Sequence, residues 1–125
     1  MTESISENKF ILSFNHEGYY DLFIKDNVEI FIDDITKLLE AQKKISGQRL
    51  PVLISGGQYS TTNTETLKYI SSNQNIPYSK CAAFVVKSIS QKLLGNFYLK
   101  IYKPQRPTKF FNSKEDAIAW LKQYI

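Results

Sequence analysis

The chain has 125 residues, 42% of them hydrophobic and 22% charged, which excludes an intrinsically disordered chain and predicts one globular domain over residues 1–125. We expect residues 1–8 to be flexible. A single cysteine excludes an internal disulfide, and no apolar run approaches the ~18 residues of a membrane-spanning helix. These features favour a cytoplasmic protein without a membrane span.

The net charge of +4 is unevenly distributed along the chain. Residues 1–65 carry ten acidic and six basic residues, whereas nine basic residues and no acid lie between Glu65 and Glu115. Such a basic segment can meet an acidic protein, a phosphate-bearing ligand or a membrane surface, although a solvated face is its commoner meaning. An anionic ligand is therefore one of the partners that the sequence allows.

The first half of the chain predicts a hairpin, a helix and a buried strand. "FILSFN" and "YYDLFI" alternate around a turn at Gly18, which predicts a β-hairpin. From Val28 apolar residues recur every three or four positions, which predicts a helix that Asp26 and Glu29 cap and Gly47 ends. "LPVLIS" then predicts a buried strand.

The second half alternates helices and strands. Thr62 opens a helix that reaches Ile70, and "CAAFVV" is the next buried strand. A helix runs from Ser88 to Tyr102, "TKFF" is a short strand, and Asn112 opens the last helix. Alternating strands and helices predict a mainly parallel sheet of about five strands, covered by four helices.

The helix from Ser88 to Tyr102 is apolar around much of its circumference. Ile89, Leu93, Phe97 and Ile101 recur every four residues and are predicted to face the core. A second apolar side then predicts a homodimer or partner contact, or a surface that the hairpin or the loop "NQNIPYSK" covers. The predicted contact residues, with the last two as a polar rim, are Gly95, Tyr98, Leu99, Tyr102, Lys103 and Arg106.

The turn "SGGQYSTT" after the buried strand is a candidate modification or ligand site. Gly56 and Gly57 stand where α/β sheets bind ligands, beyond the carboxyl end of a strand, but no phosphate-loop or dinucleotide pattern follows. A phosphate on Ser60, Thr61 or Thr62 would lie at a predicted helix N-terminus. The alternative is that these hydroxyls only cap the helix.

No combination of residues indicates catalysis. His16 is the only histidine, and the only cysteine, Cys81, opens an apolar strand with no base nearby in sequence. One cysteine and one histidine do not make an ordinary zinc site. We therefore expect no enzyme activity, no metal and no cofactor.

The element order and the segments "LPVLI", "AAFVVKSISQKLLGNFYLKIYKP" and "PTKFFNSKEDAIAWL" resemble STAS/SpoIIAA-like domains, in particular short bacterial members. The resemblance implies an α/β fold and a non-enzymatic regulatory domain that binds a second copy or another bacterial regulatory protein. In the better-known relatives a serine in an Asp-Ser pair is phosphorylated, and this pair is absent from "SGGQYSTTNTETL".

Two further partner classes follow from the fold and the basic segment. SpoIIAA-like folds are similar to the lipid-binding lobe of the SEC14 type, which implies a small-ligand or lipid carrier. Its pocket would lie between the sheet and a movable helix, and its basic residues would take an anionic head group. Nucleic acid is not expected as a partner, because stacking needs exposed rings and several aromatic residues fall on the predicted inward stripe.

Overall fold

The structure is a computed structural model that describes residues 3–125. The strands in this range are, in chain order, β1 (Ser4–Ser6), β2 (Phe10–Asn15), β3 (Tyr19–Ile24), β4 (Glu29–Ile30), β5 (Leu50–Gly56), β6 (Thr61–Thr62), β7 (Ser79–Val85) and β8 (Thr108–Phe111). The helices are α1 (Ile32–Ile45), α2 (Thr64–Ile70), α3 (Ile89–Phe97) and α4 (Lys114–Leu121). A π-helical turn, Tyr98–Tyr102, extends α3.

Six strands form one mixed sheet in the order β1-β2-β3-β5-β7-β8. The first three pair antiparallel, whereas β3, β5, β7 and β8 pair parallel to one another. Gly18 turns the hairpin between β2 and β3 with a φ of 107°, a conformation that a residue without Cβ adopts easily. The predicted mainly parallel α/β fold, with its hairpin and four helices, is confirmed.

Strand β1 is an addition to the predicted sheet. We expected residues 1–8 to be flexible, but Ile5 pairs with Leu12 of β2 and packs against the core. A three-residue strand is too short for its alternation to be recognised in the sequence. Residues 1 and 2 of the segment expected to be flexible lie outside the described residues.

The two faces of the sheet are covered differently. On one face, Ala117 and Leu121 of α4 pack directly on Leu53, Cys81 and Ala83. On the other face, α1 packs against β1 and β2, while α2 and α3 lie opposite β5, β7 and β8 with few direct contacts to them. This second face therefore leaves space between the sheet and its helices.

Helix α1 begins later than the sequence predicts. It starts at Ile32 rather than Val28, because residues Glu29–Ile30 pair as β4 with β6. The predicted cap, Asp26, accepts a hydrogen bond from the backbone N of Gln58 at 2.9 Å instead. The predicted capping box at this helix is therefore wrong.

Two of the other helix starts are displaced by one residue. Asn63 rather than Thr62 caps α2, and Ser113 rather than Asn112 caps α4. Ser88 caps α3 as predicted. Neighbouring Asn, Ser and Thr residues are all good N-caps, so the choice between them depends on tertiary structure.

Helix α3 has the predicted extent but the opposite orientation. The stripe that was predicted to face the core is exposed, with exposed fractions of 79% for Ile89, 63% for Leu93, 39% for Phe97 and 55% for Ile101. Gly95 and Tyr98 point inward and are buried. The predicted inward stripe is therefore wrong, because the glycine, which lets the backbone approach β8, decides which side faces the sheet.

Candidate functional site

An apolar cavity of about 230 Å³ lies between the sheet and helices α1, α2 and α3, and is partly open to solvent. Its floor consists of inward side chains from the sheet, among them Leu22, Val52, Ile54, Ala82, Phe84 and Phe110. The helices cover it with Ile35, Leu38, Leu67, Ile70 and Leu94. Such a lining of aliphatic and aromatic groups with few polar ones is typical of small-molecule sites.

Small side chains create this space. Ala82 lies in the middle of β7, between the larger Val52 of β5 and Thr108 of β8, and its methyl group leaves room above the sheet. Gly95 of α3 has no side chain to place there. A close-packed interior contains few voids larger than a water molecule, so a cavity of this size is a specific feature of the fold.

Gln91 joins α3 to the turn after β5. Its Nε2 donates to the backbone O of Gly57 at 2.7 Å and to that of Ser60 at 3.3 Å. Its Oε1 accepts from the backbone N of Lys87 at 2.8 Å. This side chain therefore holds one border of the cavity closed.

Arg106 contributes a guanidinium to the cavity wall, although only 5% of the residue is exposed. Its Nη2 donates to the backbone O of Ile70 at 2.6 Å and to that of Ser72 at 3.3 Å, at the C-terminal end of α2. Its Nε has no hydrogen-bond partner among residues 3–125. The guanidinium is therefore incompletely satisfied.

Burial lowers the pKa of the Arg106 guanidinium, and the Tyr98 hydroxyl beside it opposes that shift. Burial also raises the pKa of Tyr98, against the effect of Arg106. None of the ion pairs in the described part of the chain includes Arg106. A buried cation without an anion is costly, and here the Tyr98 hydroxyl and the partial negative charge of the α2 C-terminus offset it in part.

Asp34, the acid that lines the cavity, is already paired. Its Oδ2 accepts from the Nζ of Lys9 and from the backbone N of Phe31, each at 2.8 Å. The Lys9 ammonium also lies 4.8 Å from the centre of the Phe31 ring. Asp34 thus fixes the start of α1 and joins it to Lys9.

The predicted ligand turn borders the cavity and leads directly into the N-cap of α2. The residues in question, which all line the cavity, are Gly56, Gly57, Ser60, Thr61 and Thr62. Ser60 Oγ donates to the backbone O of Lys25 at 2.6 Å, and Thr62 Oγ1 donates to that of Ile30, also at 2.6 Å. Thr62 directly precedes the N-cap Asn63, while Ser60 and Thr61 lie further from the start of α2, so the proposed phosphate site at this turn stays a prediction.

The predicted partner-contact residues are divided by the fold. Gly95, Tyr98 and Arg106 are buried, and all three line the cavity. Leu99 and Tyr102 are half-buried, and Lys103 is exposed. Their proposed role in partner binding stays a prediction, which now concerns the last three.

The two residues considered for catalysis lie apart from the cavity. Burial raises the pKa of the Cys81 thiol to about 11, so it stays protonated at neutral pH, and it faces α4. His16 is exposed in the hairpin turn. Across residues 3–125 no three His, Cys, Asp or Glu side chains are grouped to hold a metal ion.

The carrier alternative places a pocket between the sheet and a helix, but the sequence does not identify Gln91 and Leu94 as the residues that close it. A signal was present, because a glycine within an otherwise bulky helix indicates close approach to a neighbouring element. The predicted inward stripe instead places Gly95 on the outer side, which reverses the orientation of α3. The cavity itself depends on the distance between helix and sheet, which no local pattern encodes.

Comparisons with known proteins place this chain beside relatives of unknown activity. A family model described as "Domain of unknown function (DUF7793)" matches residues 18–125. The chain is similar to the crystal structure of an uncharacterised protein of the DUF3478 family with a SpoIIAA-like fold from Shewanella loihica PV-4. Their sequence identity is 15% and the TM-score is 0.48, over 97% of this chain and 92% of that one. No curated protein matches the sequence.

Proposed function

Because this chain belongs to the family described as Domain of unknown function (DUF7793), whose name states no activity, we propose a function from its geometry: it binds a small apolar acid without catalysing a reaction. The observation that carries this proposal is the apolar cavity between the sheet and helices α1, α2 and α3. It corresponds to the carrier alternative that the sequence raised.

The size of the cavity sets the class of ligand. Its volume of about 230 Å³ exceeds the ~150 Å³ cavity that holds benzene in an engineered core. It lies just below the ~300 Å³ at which drug-sized pockets begin. A compact ligand such as a medium-chain fatty acid or a small aromatic acid fits this range, with further room where the cavity meets solvent.

Arg106 sets the polarity of the ligand. Its buried guanidinium has a free Nε and no paired carboxylate among the described residues. A carboxylate is the group that a guanidinium binds best, and the free Nε can donate one charge-assisted hydrogen bond to it while Nη2 stays bonded to the carbonyls at the end of α2. Tyr98 stands beside Arg106 and supplies a hydroxyl to the same acid group.

The proposal is tested by the mass of the purified protein. Non-denaturing mass spectrometry is expected to show the chain with a small additional mass, which denaturation in organic solvent releases as an apolar acid. Protein that loses this ligand during purification is expected to take up decanoate with one-to-one stoichiometry. A bare chain that takes up neither decanoate nor an aromatic acid such as phenylpropanoate contradicts the proposal.

A regulatory or protein-binding role is the second candidate, and the exposed apolar side chains of α3 support it. Self-association is the form that the sequence resemblance implies, through Leu99, Tyr102 and Lys103. Light scattering on a sizing column measures the molar mass in solution and tests this candidate. If the wild type is a dimer, a folded Leu99→Asp variant is expected to have the mass of a monomer. An unchanged mass removes Leu99 from the contact.

A further inference from the structure

The outer side of α3 carries a row of exposed apolar residues. This row, the α3 stripe, consists of Ile89, Leu93, Phe97 and Ile101. The four residues recur every fourth position, so they lie along one side of the helix and of its π-helical extension. Water contacts large aliphatic and aromatic groups there, which is the usual mark of a contact surface.

Basic residues surround the α3 stripe. Lys92 and Lys100 are exposed and stand one position before Leu93 and Ile101, so they run alongside the stripe. Lys87 precedes α3 and Lys103 ends it in a left-handed conformation, with a φ of 46°. None of these lysines belongs to an ion pair within residues 3–125. The occupant of this surface should therefore be apolar and negatively charged.

Charge complementarity excludes a second copy of this surface as the favoured occupant. In a symmetric contact, Lys92 and Lys100 of one copy would approach those of the other, and like charges at an interface oppose association. An anionic lipid surface offers both features that the stripe requires, since acyl chains accept apolar side chains and headgroups attract lysines.

The position of the stripe relative to the cavity favours lipid over an acidic protein. The inner side of α3 lines the cavity through Leu94, while the outer side carries the stripe. We propose that α3 docks flat on a membrane that contains anionic lipid and there exchanges the apolar acid between bilayer and cavity. The evidence for membrane docking is the α3 stripe with its neighbouring lysines. The exchange of the apolar acid depends in addition on the proposed function.

Docking on the surface differs from insertion across the bilayer. None of the helices in residues 3–125 is long and apolar enough to cross a membrane. A surface helix buries only its apolar side at the level of the headgroups. Each lysine near an anionic surface contributes about fivefold to the affinity, so salt is expected to weaken the binding.

Sedimentation with vesicles tests this inference. We expect the protein to bind vesicles of phosphatidylcholine with one third phosphatidylserine, and to bind phosphatidylcholine alone at least ~10-fold more weakly. The variant Lys92→Glu/Lys100→Glu is expected to lose the difference between the two vesicles. Its matched control, Lys43→Glu/Lys44→Glu, changes two exposed lysines of α1 and should bind like wild type.

A second pair of variants tests the contribution of the apolar residues of the α3 stripe. Ile89→Ser/Leu93→Ser is expected to lose vesicle binding, whereas Ile125→Ser, a change at another apolar residue that is 56% exposed, should retain it. Circular dichroism and decanoate binding by each variant show that the fold is intact. Loss of vesicle binding with unchanged decanoate binding supports the docking surface.

Two results would overturn the inference. One is that the wild type does not bind anionic vesicles. This result counts against the inference even if the same residues bind an acidic protein. The other is vesicle binding that neither set of α3 variants reduces. Vesicle binding without any decanoate binding would instead contradict the proposed ligand function and leave the docking surface in place.

Discussion

Gly95 of α3 lies directly against the ring of Phe110 on β8, where an ideal Cβ at position 95 would stand 2.7 Å from Phe110 Cε2. The Phe110 ring in turn stacks on Phe84, with centroids 4.7 Å apart and planes 13° from parallel. The helix backbone therefore rests on an aromatic pair that belongs to the floor of the cavity. This contact fixes how far α3 stands from the sheet.

Gly95→Ala is expected to destabilise the protein despite the better helix propensity of alanine. The new methyl group must displace a ring that is held by its partner, and such overpacking costs about 1–3 kcal/mol. The gain in propensity returns at most ~1 kcal/mol. Urea unfolding measures the net change, and Asn96→Ala at the exposed neighbouring position is the control.

A double-mutant cycle tests the contact between Gly95 and Phe110 directly. Phe110→Leu removes the ring that the methyl group would meet, so the double variant Gly95→Ala/Phe110→Leu should be more stable than the sum of the single changes predicts. Strict additivity would show that Gly95 and Phe110 do not constrain each other.

Arg106→Met is expected to weaken binding of decanoate but not of decanol. Methionine has a similar length and no charge, so the apolar part of the site stays while the carboxylate loses its partner. Arg106→Lys keeps the charge without the planar fork and should give an intermediate affinity. Titration calorimetry with both ligands provides the comparison, and equal losses for decanoate and decanol would show that Arg106 supports the fold rather than the acid group.

Gln91→Ala is expected to loosen α3 without unfolding the protein. The change removes hydrogen bonds to the Gly57 and Ser60 carbonyls, which contribute about 1 kcal/mol each. Amide hydrogen exchange in α3 should accelerate while that of β5 and β7 is unchanged, and ligand release should be faster. Gln123→Ala at an exposed position is the control, and equal exchange rates in the two variants would refute the role of Gln91.

The Cys81 thiol should make stability depend on alkaline pH. Its pKa is raised from 9.0 to about 11 by burial, so the folded state favours the neutral thiol. The resulting stability is present below pH 9, where the thiol is neutral in both states, and is lost as the pH rises toward 11. In Cys81→Ala, urea midpoints should fall less over this interval, and parallel pH profiles would contradict the prediction.

Local sequence patterns were sufficient for the main strands. "FILSFN", "YYDLFI" and "TKFF" correspond to β2, β3 and β8, since alternation and buried apolar runs report directly on a sheet. The same patterns do not determine the exact helix ends, because neighbouring residues such as Thr62 and Asn63 are both suitable N-caps. The two-residue strands β4 and β6 carried no recognisable pattern.

The candidate site required the tertiary structure. Apolar residues cover most of α3, so its periodicity does not show which side is buried, and the four-residue stripe that it favours as the inner side is exposed. The buried side is instead defined by Gly95 and Tyr98, through their contacts with Phe110 and Arg106. The sequence predicts Arg106 on the polar rim of a partner surface, whereas it is buried beside the cavity because its guanidinium bonds to the C-terminus of α2.

The central claim, an apolar ligand in the cavity, is tested most directly by titrating decanoate into wild type and two tryptophan variants. Leu94→Trp fills the cavity from α3, whereas Leu93→Trp places the same side chain on the outer side, where 63% of Leu93 is exposed. The account predicts that wild type and Leu93→Trp bind one decanoate and that Leu94→Trp does not. Equal binding by all three proteins, or binding by none, would contradict it.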